Sequence, residues 1–378
     1  METGPAGDMT AAGGRLTVDL GALAANWQAL ADRVGDTVAT AAVVKGDGYG
    51  IGLEPAATAL AEAGCHTFFV ALADEGLRLR QAVHDAAIYV LDGLIAGSAE
   101  ALVAADLRPV LGSLAEIEEW AVVRHAGART ACAIHVDTGM NRLGLTLAEA
   151  RVLSEHRDLI ETIAPALLMS HLACADTPDH PLNRKQLTSF RAVRVLLPNI
   201  PASLANSAGI FLGHDYHFDL VRPGVALYGA APLSGEESPM ATVVTLEARV
   251  LQVREVRRGE TVGYGATETV RQPSRIAVLG LGYADGYHRL AGSSDERPGA
   301  RAFVRGRYAR IVGRVSMDLI AIDVTDIHGV DRGDWVELIG PDVPVDEVAS
   351  YAETIGYEFL TGLGRRYARA YVGGEGPG

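Results

Sequence analysis

Apolar residues in the first two thirds of this 378-residue chain come in short unbroken runs, separated by polar stretches with helical spacing. Eight runs stand out, at residues 41–45, 67–71, 88–92, 108–112, 131–137, 166–171, 202–206 and 218–224. Runs of this length without polar alternation predict strands buried on both faces, as in a parallel sheet. Most of the gaps hold helical patterns. Residues 54–63 are rich in alanine and leucine and stop at Gly64. Ser113 with Glu116, and Thr146 with Glu149, have the spacing of capping boxes ahead of amphipathic stretches that reach Arg124 and Ile160. An amphipathic helix near residues 20–34 precedes the repeat, and the short interval between Asn206 and Phe218 leaves that unit irregular. Strand and helix alternating over ~210 residues predict a (β/α)8 barrel, an α/β architecture of TIM type.

From about residue 240 the period changes. Residues 243–256, 275–282, 310–324 and 335–339 alternate or cluster β-branched side chains between Gly, Pro and Asp turns, and helical spacing returns only at 345–355. That pattern predicts a separate, mainly β domain. The expected division is a polar, disordered tail at 1–14, a barrel domain at 15–239 and a β domain at 240–378. Two domains also suit a length beyond what one hydrophobic core holds.

Composition acts mainly by exclusion. Hydrophobic residues at 48% and charged residues at 21% are ordinary globular values. A net charge of −14 argues against nucleic acid or an anionic membrane as partner. Cys65, Cys132 and Cys174 are odd in number and form no C-x-x-C pair, which suits a reducing cytoplasm and offers no metal site. The opening residues lack the apolar core of a signal peptide, and no run approaches the ~20 residues that span a bilayer. The expectation is a soluble, cytoplasmic protein.

Candidate chemistry gathers where a barrel predicts it, at the C-terminal ends of the strands. Lys45, His171, Asn206 and Arg222 fall at or near such ends, and Arg142 follows the fifth run. Lys45 is the most informative, because it closes an apolar run and opens a glycine turn, Lys45-Gly46-Asp47-Gly48-Tyr49-Gly50. A charged amine costs free energy where water is excluded. Partly desolvated, it loses its proton more readily and can form a Schiff base. The glycines let a ligand approach the backbone beside Tyr49. On this segment alone, a lysine whose head reaches back to solvent remains the alternative.

Nine motifs widen the frame: AVVKGDGYG, VDTGMNRLG, SHLACAD, ANSAG, DLVRPGVALYG, VGYG, GYADG, GRVSMD and GYEFLTGLGRR, in that order. From about Leu16 to Tyr371 the chain resembles the alanine racemase family, pyridoxal 5′-phosphate enzymes with a barrel domain and a β domain. The resemblance implies two-base racemisation of L-alanine to D-alanine for peptidoglycan. A serine or broad-specificity racemase of the same fold is the alternative. It implies that Lys45 carries the cofactor and serves as one acid/base, and that Tyr264, in Gly263-Tyr264-Gly265, serves on the opposite face. A phenol, ordinarily near ~10, is a poor base at neutral pH and needs a positive neighbour for that task.

By the same resemblance Arg222 bonds the pyridine nitrogen, with His171 supporting it. The hydroxyls of Tyr49, Ser207 and Tyr357 take the phosphate, together with the backbone amides of Gly224 and Val225. Arg142 binds the substrate carboxylate, and the backbone of Met317 lines the pocket. In the family Tyr264 and Met317 come from a partner subunit, so a head-to-tail homodimer with two shared sites is implied. Two departures stand out. His135 occupies a position where many members carry a carbamylated lysine, and Ile51 one where histidine is frequent. Decarboxylases of basic amino acids share the architecture but use a Gly-Gly-Gly phosphate run and a C-terminal cysteine; this chain has no such run, and its last cysteine is Cys174. A non-catalytic cofactor carrier of the barrel type would lack the β domain.

Overall fold

The computed structural model describes residues 11–374. The first ten residues of the tail expected at 1–14 lie outside the described residues, and Gly14 already opens a strand. Seven parallel strands follow one another in chain order: Ala42–Val43, Thr67–Val70, Ala87–Val90, Leu107–Leu111, Cys132–His135, Pro165–Met169 and Ala202–Ser203. The eighth, Leu220–Val221, pairs in parallel with Ala39–Thr40, just ahead of the first. On its other side the Asp219 and Arg222 amides donate to the Ala202 and Ala205 carbonyls. The sheet therefore closes into a barrel. Its strands carry Phe68, Phe69, Ile88, Leu111, Ile134 and Leu168, all fully buried, as runs apolar on both faces require.

The helices start where their caps place them. Ser113 Oγ accepts from the Glu116 amide at 3.3 Å ahead of Leu114–His125. Thr146 and Glu149 exchange both bonds of a capping box, at 3.1 and 2.8 Å, ahead of Leu147–Glu155. Pro181 opens Pro181–Leu196, where its missing N–H is harmless.

The mainly β domain is built on one long strand, Val244–Val256. It pairs antiparallel with Ser274–Leu279, with Trp335–Ile339 and with Gly14–Asp19. The first strand among the described residues thus belongs to the sheet of the C-terminal half, where it also pairs in parallel with Ala368–Val372. Its alternating burial, shared over only six residues, escaped the run-based reading. The β-patterned stretch at 310–324 holds the last residue of one strand, Arg307–Arg310, and the whole of another, Ile320–Asp323, joined by a loop that carries Arg314 and Met317. The halves are tied together by the buried Asn26, which donates to the Leu227 and Ala241 carbonyls at 3.0 and 2.9 Å. Arg369 and Tyr371 donate to the Gly50 and Ile51 carbonyls at 2.9 and 2.7 Å, which lays the last strand against the turn after Lys45.

Candidate active site

Four consecutive residues after Lys45 are left-handed, with φ of 65° at Gly46, 55° at Asp47, 64° at Gly48 and 52° at Tyr49. An L-residue in that region costs about 1–2 kcal/mol, so Asp47 and Tyr49 must be held there by their surroundings. The Lys45 amine makes no hydrogen bond or ion pair among the described residues. Burial first, and then the Arg142 charge, hold it below its ordinary range, while Asp92 and Glu75 oppose them.

Tyr49 packs into a second cluster. Its ring stacks on Tyr228 at 4.5 Å, and Tyr228 donates to the Val43 carbonyl at 3.1 Å. Tyr357, from Gly356–Gly362, lies 6.2 Å away ring to ring. Burial raises both phenols, Tyr357 to about 12, so each hydroxyl stays a donor. Neither hydroxyl bonds to a described residue. Ser207 opens the short helix Ser207–Phe211, with Asn206 capping it through the Gly209 amide at 2.9 Å. Ser207 Oγ accepts from the Gly224 and Ala226 amides at 2.8 and 3.3 Å, while the Val225 amide between them has no acceptor among the described residues. A Cβ on Gly224 would stand 2.3 Å from the Tyr49 hydroxyl, so only glycine fits. The Tyr49 and Tyr357 hydroxyls and the Val225 amide, without partners among the described residues, form with Ser207 around a close backbone approach a donor cradle that suits an anion such as a phosphate.

Arg222 lies between these clusters and is almost fully buried. One of its Nη atoms donates to Ser203 Oγ, and the other donates to the Ser170 carbonyl at 2.6 Å and reaches His171 Nδ1 at 3.4 Å. Burial lowers it to about 9, which still leaves a cation at neutral pH. Burial, then Arg222 and Arg142, drive His171 well below its ordinary value. The imidazole is therefore neutral, and with Nδ1 accepting from the guanidinium its proton sits on Nε2. Gln186 fixes this segment by donating to the His171 carbonyl at 2.8 Å and accepting from the Ala173 amide at 2.9 Å.

Arg142 is exposed and has no hydrogen-bonding partner among the described residues, yet its charge bears on Lys45, His171 and His135. Its loop is pinned by Asp137, whose carboxylate accepts from the Gly139, Met140 and Asn141 amides at 2.9, 2.8 and 3.0 Å. Burial works against that carboxylate's charge, but the amide bonds outweigh it and hold the group below its ordinary value. His135 is buried beside it and pulled down to about 4, by burial first and then by Arg222, with Arg142 adding a smaller share. It is neutral there.

Lys45, Arg142, His171 and Arg222 thus share one electrostatic environment, and Tyr49, Ser207, Gly224, Val225 and Tyr357 one cradle. Tyr264 and Met317 stand apart, 71% and 53% exposed. Tyr264 sits on a one-turn element between Gly263 and Thr267, and neither of the two side chains bonds to a barrel residue among the described residues. Asp137 and Glu75 escaped sequence reading. For Asp137 the Asp-Thr-Gly spacing was an available signal, because an Asp ahead of a glycine accepts from its own turn. Glu75 offered none for its hold on the turn, since the Gly46 and Asp47 amides it accepts from lie 29 and 28 residues away.

The family model described as "Alanine racemase, N-terminal domain" matches residues 18–232, and "Alanine racemase, C-terminal domain" matches residues 243–371. The chain is similar to an alanine racemase of Rhizobium meliloti, 48% identical over 375 residues that cover 97% of this chain and 99% of that protein. It is 51% identical to an alanine racemase of Methylobacterium nodulans, over 96% of this chain and 97% of that one. In three dimensions it resembles the crystal structure of alanine racemase from Bartonella henselae with covalently bound pyridoxal phosphate. The TM-score is 0.90 at 40% identity, covering 96% of this chain and all of the other.

Proposed function

This chain belongs to the alanine racemase family, isomerases of alanine, and on that premise we propose that it interconverts L- and D-alanine on pyridoxal 5′-phosphate with Lys45 and Tyr264 as its two bases. The observation that carries this reading is the amine of Lys45, half-buried, without an ion-pair partner among the described residues and held below its ordinary range by burial and by Arg142. Such an amine gives up its proton more readily than an ordinary lysine and is the better nucleophile for it.

Pyridoxal phosphate, when bound, ties up the substrate amine and withdraws electron density from the α-carbon, so that the α-proton becomes removable. The residues present suit that group. The hydroxyls of Tyr49, Tyr357 and Ser207 with the Val225 amide would take the phosphate, whereas the Gly224 amide expected beside them is committed to Ser207 Oγ, and Arg222 would donate to the ring nitrogen. A guanidinium does not surrender its proton, so the ring nitrogen would stay unprotonated and the electron withdrawal modest. His171, neutral, holds Arg222 in place. Arg142, with no acceptor among the described residues, would offer its planar fork to the substrate carboxylate. Lys45 would take or return the α-proton on one face and Tyr264 on the other, because a change of hand needs a group on each side.

The exposure of Tyr264 and Met317 supports a composite site, in which a second copy of the chain presents both to this barrel. We read the assembly as a head-to-tail homodimer. Unpaired Cys65, Cys132 and Cys174 suit a cytoplasmic setting, and D-alanine for peptidoglycan is the proposed use of the product.

Purified protein with pyridoxal phosphate, incubated in D2O with a panel of L-amino acids, is expected to give D-alanine fastest, with one deuterium at the α-carbon. A faster serine product would move the specificity to a broader racemase. Release of amine and carbon dioxide would overturn the reading. Gly224→Ala should push the Tyr49 hydroxyl aside and weaken cofactor retention about tenfold, as loss of one bond to a charged group does. Cofactor content after gel filtration measures it, and wild-type retention would remove the cradle from the proposal.

A further inference from the structure

The left-handed turn after Lys45 is gripped from one helix, Ala73–Ala82, which none of the roles above employs. Glu75 Oε1 accepts from the Gly46 and Asp47 amides at 2.7 and 3.2 Å, the first two amides of the turn. Its other oxygen accepts from the Ala71 and Leu72 amides at 3.0 and 3.3 Å, at the end of the neighbouring strand. From the outer side Arg78 forks onto both oxygens of Glu54, at 2.8 Å each, and reaches Asp47 Oδ1 at 2.9 Å. The same Asp47 oxygen accepts from the Leu53 amide at 3.3 Å.

The helix that carries both groups is itself fixed. A Cβ on Gly76 would meet a Leu107 methyl at 2.9 Å, so the helix lies directly on the barrel. At its far end Arg80 donates to the Val83, His84, Ala86, Ala105 and Asp106 carbonyls. Two non-glycine residues in the left-handed region would relax if released, and these bonds are what opposes the relaxation.

We propose that helix Ala73–Ala82 is a brace for the reactive amine, in which Glu75 from within and Arg78 from without lock the left-handed turn and thereby fix Lys45. Both are positioning residues, and the inference rests on Lys45 as the cofactor-bearing amine. Glu75 also contributes charge. Among the groups that bear on Lys45, Arg142 lowers its proton affinity together with burial, Asp92 and Glu75 raise it, and His171 is neutral. Removing the Glu75 charge therefore lowers the pH at which the amine becomes a base.

The test compares Glu75→Gln, Glu75→Asp and Arg78→Met in the cofactor-loaded protein. Glutamine keeps the reach but turns an NH2 toward one pair of backbone donors, leaving that pair unsatisfied. Cofactor loss under dialysis should quicken about tenfold, the scale of one unsatisfied pair. In the direction where Lys45 takes the proton, the acid limb of kcat should move to lower pH. Aspartate, shorter but charged, should leave that limb in place while the cofactor still leaves faster. Arg78→Met, an exposed change that leaves the fold alone, should quicken cofactor loss about threefold, as a partly exposed ion pair suggests, without moving the limb. It carries the retention readout even if Glu75→Gln does not fold. Borohydride reduction followed by peptide mass mapping separates the two levels, because the chain has only two lysines, Lys45 and Lys185. Label on Lys45 with wild-type retention and pH profile in Glu75→Gln overturns the brace alone. Label on Lys185 overturns the assignment of Lys45, and the brace with it.

Discussion

Lys45→Ala is expected to lose the visible absorbance of lysine-bound cofactor and racemisation together, with a rate loss beyond ~10⁴. A lost general acid or base alone accounts for ~10²–10⁴, and Lys45 is asked to hold the cofactor as well as move a proton. The fold should survive. Among the described residues the amine has no hydrogen bond or ion pair to forfeit, and removing a partly desolvated charge relieves a cost, so the melting temperature of the cofactor-free protein should hold or rise. That combination sets chemistry apart from collapse. Circular dichroism and thermal unfolding would be read beside absorbance and chiral product analysis. Turnover within tenfold of wild type in a folded Lys45→Ala protein would end the proposed mechanism.

Much of the barrel was legible because its signals are local. Continuous apolar runs marked all eight strands, and the Ser113–Glu116 and Thr146–Glu149 pairs marked helix starts that the hydrogen bonds bear out. What escaped was non-local. Gly14–Asp19 takes its partners from residues 244–248 and 368–372, and nothing within six residues announces such partners. The turn after Lys45 advertised its glycines but not that Asp47 and Tyr49 would also be left-handed. That conformation is imposed by Glu75, Arg78 and the stacked Tyr228, all distant in sequence. The positions of Lys45 and Arg222 at strand ends followed from the runs alone. The neutrality of His171 and His135 did not, since it comes from burial beside two arginines that the fold brings together.

Tyr264→Phe should leave cofactor absorbance intact and cut racemisation by ~10²–10⁴, the range for one lost acid/base group. The change is conservative for the fold, because the ring is 71% exposed and its hydroxyl bonds to no described residue. Near wild-type racemisation in this variant would remove Tyr264 as second base while leaving Lys45 untouched. Co-expression with Lys45→Ala then tests where Tyr264 acts. In a mixed dimer with shared sites, one site joins both defects and the other pairs an intact Lys45 with an intact Tyr264. Random pairing makes half the dimers mixed, so about a quarter of wild-type activity should return from two inactive proteins. If Tyr264 served the barrel of its own chain, every site would keep one defect and nothing would return. The exposed Tyr264 and Met317 favour the first outcome, since each lacks any bond to the barrel of its own chain.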